Sequence, residues 1–167
     1  KRIELHSLPT ALRHEAAVDE LACSSLQLIL LLIPTDFKVP VVSAVIIDSS
    51  GPGPGVCFSA SSGLNLDEAI AKTIREALTI HTVERNRKTE KAKIASFDLL
   101  NNLSQNNYEL LSFGGRMELF WPKKIPPLVN FFLGGVKQTY AEIESRFTPL
   151  EIEDVIDRFK DFEYQIF

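Results

Sequence analysis

The spacing of apolar residues predicts three consecutive strands near the middle of the chain. Two apolar runs cover residues 26–33 and 41–48, and the prolines at 34 and 40 separate them. Runs of this length bounded by prolines are typical of buried strands. After the loop "SSGPGPG", residues 56–61 are predicted to form the third strand. At the N-terminus, residues 2–7 alternate between apolar and polar and predict a further, half-buried strand.

Two helices are predicted from apolar residues at helical spacing. The first covers residues 11–23, and four of its residues are expected to face a core: Leu12, Ala16, Leu21 and Ala22. The second runs from Leu66 to about Arg87. Its apolar residues fill a broad arc of the helix, which predicts that it is largely buried: Ala69, Ile70, Ala71, Ile74, Ala77, Leu78 and Ile80.

The last third of the chain is predicted to be mostly helical. Helices are expected at residues 93–103 and 127–135, a strand-like stretch at 116–121, and one or two helical turns at 138–145. For residues 147–162 we predict a helix with Thr148 as N-cap, Pro149 at its first position and Glu151 closing a capping box. A final strand follows to Phe167.

Strands that alternate with helices predict an α/β (α+β) fold, with a mixed sheet packed against helices. A chain of 167 residues with 45% hydrophobic content can bury one core. Because strand-like segments stand at both ends, we expect residues 1–167 to be either a single domain or an excised part of a larger one.

Charge and cysteine content limit the classes of partner. A net charge of −4 and a pI near 5.4 argue against a general nucleic-acid binder. The longest apolar run is too short to cross a membrane, which takes about 20 residues. Cys23 and Cys57 form no CxxC pair, so we expect no disulfide framework or structural zinc and a reducing, cytoplasmic location. His6, His14 and His81 lack metal-ligand spacing and are expected to be hydrogen-bonded or exposed.

Polar residues of the long helix fall on one line, which we call the polar stripe: Glu68, Lys72, Arg75, Glu76 and Thr79. One interpretation is a solvated face, in which Glu68 and Lys72 form an i,i+4 ion pair. The other is a ligand-binding face, because Mg²⁺ takes carboxylate oxygens and shares them with substrate phosphates. The small polar residues before the helix, among them Ser61 and Asn65, could approach such phosphates.

The stretches "DFKVPVVSAVIID" and "ASSGLNLDEAIAKTIREAL" resemble the second half of the YcaO-type ATP-binding domain. In that family a strand pair precedes a helix with a "D-x-x-x-A-(I/L)-x-(K/R)-A-(I/L)-x-E-A" pattern. Aligned on Glu76 and Ala77, the chain also matches this pattern at Ala69, Ile70, Lys72 and Ile74, while Asp67 stands two positions after the pattern's aspartate. The later "GRMELFWPKKIPPLVNFFLGG" resembles the family's aromatic-rich segment less specifically.

The resemblance implies an enzyme that uses ATP and Mg²⁺ to phosphorylate a peptide backbone amide, which leads to an azoline, a thioamide or a related product. By position, Glu76 is the first candidate metal ligand and Glu68 the second. Ser61 and Asn65 are candidates to contact phosphate or metal. Lys72 and Arg75 would neutralise phosphate charge. No catalytic residue is singled out. The implied substrate is a peptide or protein. The resemblance is also compatible with a partner protein that delivers the substrate and with a homodimer.

The chain departs from the family pattern, which keeps a second function open. Thr79 stands where many members have Glu or Gln, and the "E-x-x-E" helix of the domain's N-terminal half is absent. A hydroxyl cannot supply a carboxylate to a metal. The alternative is a noncatalytic module on the same scaffold that binds a partner or peptide, so the sequence leaves enzyme status undecided.

Overall fold

The structure of this chain is a computed structural model that describes residues 1–49, 54–86 and 134–161. The predictions for residues 93–103, 116–121 and 162–167 lie outside the described residues. So does the predicted helix at 127–135, apart from the two glycines at its end.

The five described strands form one mixed sheet. They are β1 (Arg2–Ile3), β2 (Leu26–Ile33), β3 (Val41–Asp48), β4 (Val56–Ser62) and β5 (Lys137–Gln138), in the order β4-β3-β2-β1-β5. β1 to β4 pair antiparallel, whereas β5 lies parallel to β1. The predicted mixed sheet with packed helices is therefore confirmed, and β2 and β3 have the predicted bounds.

The predicted strand at residues 2–7 is too long. β1 ends at Ile3 and a 3-10 turn follows at Leu5–Ser7. The hydroxyl of Ser7 donates to the carbonyl of Glu4 at 2.6 Å and accepts from the backbone N–H of Tyr140 at 2.7 Å. These side-chain bonds compete with a continued strand and turn the chain away from the sheet.

The predicted single helix at residues 11–23 is wrong, because two short helices stand in its place. α1 (Thr10–Glu15) and α2 (Val18–Ala22) are separated at Ala17, whose φ of 53° is left-handed. A left-handed residue cannot continue a right-handed helix, so the faces of the second part are rotated relative to the prediction. Three predicted core residues are buried, namely Leu12, Ala16 and Leu21. Ala22 is exposed, and Val18 is buried instead.

α3 (Leu66–Asn86) packs against the sheet and supplies much of the core. The predicted buried arc is confirmed for Ala69, Ile70, Ala71, Ile74 and Ala77, while Leu78 and Ile80 are half-buried. These residues share one cluster with apolar side chains of the sheet, among them Leu30, Val42 and Ile46. Full burial of a large aliphatic side chain stabilises the fold by about 1.5–3 kcal/mol. α3 is therefore held to the sheet along its apolar face.

Two helices follow β5. The first is α4 (Tyr140–Glu144), as predicted for this segment, and a capping box at Thr139 and Glu142 begins it. Hydrogen bonds from the Thr139 backbone N–H and hydroxyl to the Glu142 carboxylate hold the pKa of Glu142 below its usual range. The second is α5 (Ile152–Asp161). In the described part of the chain, we find no helix with the length and apolar character needed to span a membrane.

The predicted start of the last helix at Thr148 and Pro149 is wrong. α5 begins at Ile152, and the side chain of Asp154 accepts the backbone N–H of Glu151 at 2.8 Å. The backbone N–H of Leu150 donates instead to the carbonyl of Leu64 at 3.0 Å. Because Leu150 is also buried, tertiary contact outweighs the local start signal.

Candidate functional site

A close approach of the backbone shapes the connection between β4 and α3. A Cβ atom on Gly63 would lie 2.7 Å from the backbone nitrogen of Ala69 and 2.9 Å from the backbone oxygen of Asn65. It would also lie 2.9 Å from the Cβ of Glu68. Two of these three neighbours are backbone atoms, which cannot rotate away. Only glycine therefore fits between β4 and the first turn of α3.

Asn65 and Glu68 cap the N-terminus of α3. The side-chain oxygen of Asn65 accepts the backbone N–H of Glu68 at 2.9 Å, and Glu68 Oε2 accepts the backbone N–H of Leu64 at 2.8 Å. The bond to Asn65 satisfies an N–H that a helix start leaves unpaired, and the bond to Glu68 holds the residue before the N-cap. The capping role of Asn65 and Glu68 was not predicted from the sequence. The signal was present, because an N-cap residue followed three positions later by Glu is typical of a helix start.

Ser61 and Glu76 come together across the β4–α3 interface. The hydroxyl of Ser61, which is 7% exposed, donates to Glu76 Oε2 at 3.0 Å. The Glu76 side chain is itself exposed. Within the described ranges, Glu76 Oε1 has no hydrogen-bond partner. One oxygen of this exposed side chain thus accepts from Ser61, and the other is not engaged by the described residues.

The structure confirms that the polar stripe lies on one exposed face of α3. The expected ion pair between Glu68 and Lys72 is not formed among the described residues. Arg75 Nε donates to the carbonyl of Ala71 at 3.3 Å, and the hydroxyl of Thr79 donates to the carbonyl of Arg75 at 2.8 Å. Thr79 is thus turned onto its own helix, while the Lys72 ammonium is exposed.

The two glutamates of the polar stripe lie at different levels of the helix. Glu76 follows Glu68 by eight positions, which corresponds to about 12 Å along the helix axis. No three His, Cys, Asp or Glu side chains of the described residues are placed to hold a metal ion together. Mg²⁺ usually takes only one or two protein carboxylates and completes its shell with phosphate oxygens and water. The residues present fit such a shared site, and do not fit an all-protein metal cage.

A buried polar pair lies on another side of α3. His81 Nε2 and Asp48 Oδ2 are 3.1 Å apart, and both side chains are almost fully buried. His81 is thus hydrogen-bonded, as expected. Glu84, one helical turn further along, is also buried. The sequence analysis missed Asp48 because its partner is 33 positions away.

A cleft of about 340 Å³ opens beside the N-terminus of α3 and is lined by Asn65, Leu66, Asp67, Tyr140, Glu144, Phe147 and Pro149. The hydroxyl of Tyr140 donates to Asp67 and, at 2.8 Å, to Glu144. A hydroxyl has one proton, so the two carboxylates share it. Tyr140 therefore ties α4 to the first turn of α3. The sequence analysis missed this contact because nothing local relates residues 73 positions apart.

Replacing Tyr140 with phenylalanine is expected to lower the free energy of unfolding by about 1–3 kcal/mol, because the variant removes a hydrogen bond to charged groups. The Phe ring keeps the packing of the buried Tyr140. Urea unfolding of the wild type and of Y140F at pH 7 measures this difference. Equal stability of the two proteins would show that the hydroxyl contributes nothing.

The same pair of proteins has an expected pH dependence. Burial, followed by the hydrogen bonds to Asp67 and Glu144, raises the pKa of Tyr140 far above its usual value. The folded state therefore holds the proton more tightly than the unfolded state. The stabilisation is complete below the unfolded pKa of about 10 and is lost as the pH rises through the folded pKa. The stability difference between wild type and Y140F should stay constant from pH 7 to 9 and shrink above pH 10.

The comparisons with known proteins concern the whole chain. One solved structure, described as a heterocyclase in complex with substrate and cofactor, superposes with a TM-score of 0.54 at 13% sequence identity. The match covers 97% of this chain and 19% of that one, so this chain spans about a fifth of the neighbour's length. At this identity the likeness shows a shared fold. No curated protein matches the chain.

The family model for YcaO cyclodehydratases, described as ATP- and Mg²⁺-binding, matches residues 1–167. The chain therefore belongs to the YcaO family. This confirms the resemblance drawn from the strand pair and the α3 helix. The family is described as binding ATP and Mg²⁺.

Proposed function

We propose that this chain is part of an enzyme that uses ATP and Mg²⁺ to activate a peptide backbone amide by phosphorylation. Membership of the YcaO family supports the class of reaction. The observation that carries the proposal for this chain is the contact between Ser61 and Glu76, 3.0 Å long. It holds an exposed carboxylate in a fixed orientation, at the helix position where the family pattern has its glutamate.

The two candidate metal ligands of the proposed site lie at different levels of α3. Glu76 is the first proposed metal ligand, because its side chain is exposed and Ser61 engages only Oε2. Glu68 remains the second candidate through the carboxylate oxygen that does not cap the helix. When bound, Mg²⁺ neutralises charge that develops on the phosphate oxygens. Ser61 and Asn65 lie beside these two glutamates and are proposed as further contacts to phosphate or metal.

The two cations of the polar stripe are proposed to hold the phosphates. Lys72 lies one helical turn before Glu76, and Arg75 directly precedes Glu76 in the sequence. Both side chains are exposed. Positive charge at this position attracts phosphate and lowers the repulsion between phosphate and Glu76. Since phosphoryl transfer depends mainly on positioning and charge stabilisation, this is the contribution we assign to the chain's own residues.

The product class follows from the nucleophile that attacks the amide carbon. An azoline, a thioamide or a related modification is compatible with the same phosphorylated intermediate. A peptide or protein substrate, a partner protein that delivers it and a homodimer belong to the same proposal. A cytoplasmic location, where ATP is available, also belongs to it.

Titration calorimetry of the full-length protein with ATP tests this function. In excess Mg²⁺ we expect saturable binding with a dissociation constant between about 1 μM and 1 mM, the range usual for enzyme substrates. Binding should be lost when EDTA removes the metal and return when Mg²⁺ is added back. A folded protein that binds no ATP under any of these conditions would overturn the proposal.

A noncatalytic module that binds a partner or peptide is the second candidate. The orientation of Thr79 favours it, since the hydroxyl donates to the carbonyl of Arg75 instead of facing a ligand. The occupation of one Glu68 oxygen by the helix cap is a second argument. This function predicts that the folded protein binds peptide with an affinity that does not depend on ATP or Mg²⁺. Titration calorimetry with the peptide measures this affinity.

A further inference from the structure

Two hydroxyls form a closed pair beneath α3. Ser59 on β4 lies 2.6 Å from the carbonyl oxygen of Thr73 and 2.9 Å from its hydroxyl oxygen. Ser59 is 8% exposed and Thr73 is fully buried. Each hydroxyl has one proton. The arrangement that satisfies both contacts has Ser59 donating to the Thr73 carbonyl and accepting from the Thr73 hydroxyl.

This Ser59–Thr73 pair stands next to the contact between Ser61 and Glu76. Ser59 and Ser61 are two positions apart on β4, so their side chains point to the same face of the sheet. Thr73 and Glu76 are three positions apart on α3, so they lie near each other on the helix surface. Two side-chain contacts therefore join the same strand to the same helix, one of them buried and one at the solvent edge.

A buried hydroxyl pair restricts sliding of the helix over the strand. Moving α3 along β4 would separate Ser59 from Thr73 and leave buried polar groups unpaired, which costs about 1–3 kcal/mol. Apolar contacts alone do not define the position as sharply, because the hydrophobic effect is not directional. The pair thus fixes the position of Glu76 relative to Ser61 along the strand.

We propose that Ser61, held in place by the Ser59–Thr73 pair, is a positioning residue that orients the Glu76 carboxylate toward a divalent cation bound with the nucleotide. The inference rests on the proposed function. The hydrogen bond to Oε2 restrains the carboxylate and leaves Oε1 without a hydrogen-bond partner among the described residues. Residues that orient metal ligands in this way typically contribute about 10- to 100-fold to metal affinity.

The test uses Mn²⁺ as a probe in the full-length protein with a non-hydrolysable ATP analogue. The free Mn²⁺ signal in electron paramagnetic resonance gives the dissociation constant of the ion. We expect S61A to weaken Mn²⁺ binding by about tenfold and T73V by several-fold, while T73S stays close to the wild type. T82V, at an exposed position of the same helix, serves as the matched control.

The relative Mn²⁺ affinities of T73V and T73S distinguish a positioning role of the Thr73 hydroxyl from a packing role of the side chain. Valine keeps the shape of threonine and loses the hydroxyl, whereas serine keeps the hydroxyl and loses a methyl group. A packing role predicts weaker binding in T73S than in T73V, and that order would overturn the inference. So would unchanged Mn²⁺ binding in a folded S61A. Absence of Mn²⁺ and nucleotide binding in the wild type would instead remove the proposed function on which the inference rests.

Discussion

Replacing Glu76 with glutamine is expected to weaken Mg²⁺-dependent ATP binding by about 10- to 100-fold, the order expected when a metal site loses a group of its ligand shell. Glutamine has the same shape, and its amide oxygen can still accept the hydrogen bond from Ser61. It removes the negative charge that a divalent cation requires. Calorimetry with ATP in excess Mg²⁺ measures the loss.

The matched control for this substitution is E153Q. Glu153 is an exposed glutamate on α5 and does not belong to the polar stripe. E153Q makes the same change of charge outside α3, so its ATP affinity should equal that of the wild type. Both variants should unfold at the wild-type temperature, since Glu and Gln have similar helix propensities. Wild-type ATP affinity in a folded E76Q would exclude Glu76 as the metal ligand.

Replacing Gly63 with alanine is expected to lower the free energy of unfolding. The added Cβ would lie 2.7 Å from the backbone nitrogen of Ala69, so the β4–α3 connection has to move. Overpacking of this kind typically costs about 1–3 kcal/mol. The shift also disturbs the cap made by Asn65 and Glu68, so ATP affinity should fall together with the free energy of unfolding.

G135A is the control for this effect. A Cβ on Gly135 would approach its nearest neighbour, the backbone nitrogen of Arg2, no closer than 3.6 Å, which is ordinary van der Waals contact. Its free energy of unfolding should stay within about 0.5 kcal/mol of the wild type, as for most surface substitutions. Urea unfolding compares the three proteins. Equal losses in G63A and G135A would show that a general property of Gly-to-Ala replacement is responsible, and not the close approach.

The central strands and α3 could be predicted from sequence because their signals are local. An apolar run between two prolines defines β2 and β3, and a broad apolar arc defines α3. The segment around Ala17 could not be predicted, since nothing in an alanine signals a left-handed backbone. The start of α5 was wrong for a related reason. The contact between Leu150 and Leu64 joins distant parts of the chain and outweighs the capping signal at Thr148.

The candidate site was predictable only in part. The helix period placed Glu68 and Glu76 on one face, and the family pattern selected them. Neither could show that Ser61 reaches Glu76, because a hydrogen bond between strand and helix depends on how they pack. The cap formed by Asn65 and Glu68 could have been predicted, because the spacing of the two residues is local. Tyr140 could not be found at all. It meets Asp67 only after the C-terminal part of the chain returns to the first turn of α3.

The pairing of β1 with β5 sets an order of assembly. β2, β3, β4 and α3 are neighbours in sequence and can pack as soon as they are synthesised, because few residues separate their contacts. β5 and α4 reach the other end of the sheet much later, since Tyr140 contacts Ser7 across 133 positions. We therefore expect the cleft around Tyr140 to form after β2, β3, β4 and α3 have packed. On this expectation, the surface proposed to bind nucleotide forms during translation before the segment that contacts its first turn has been synthesised.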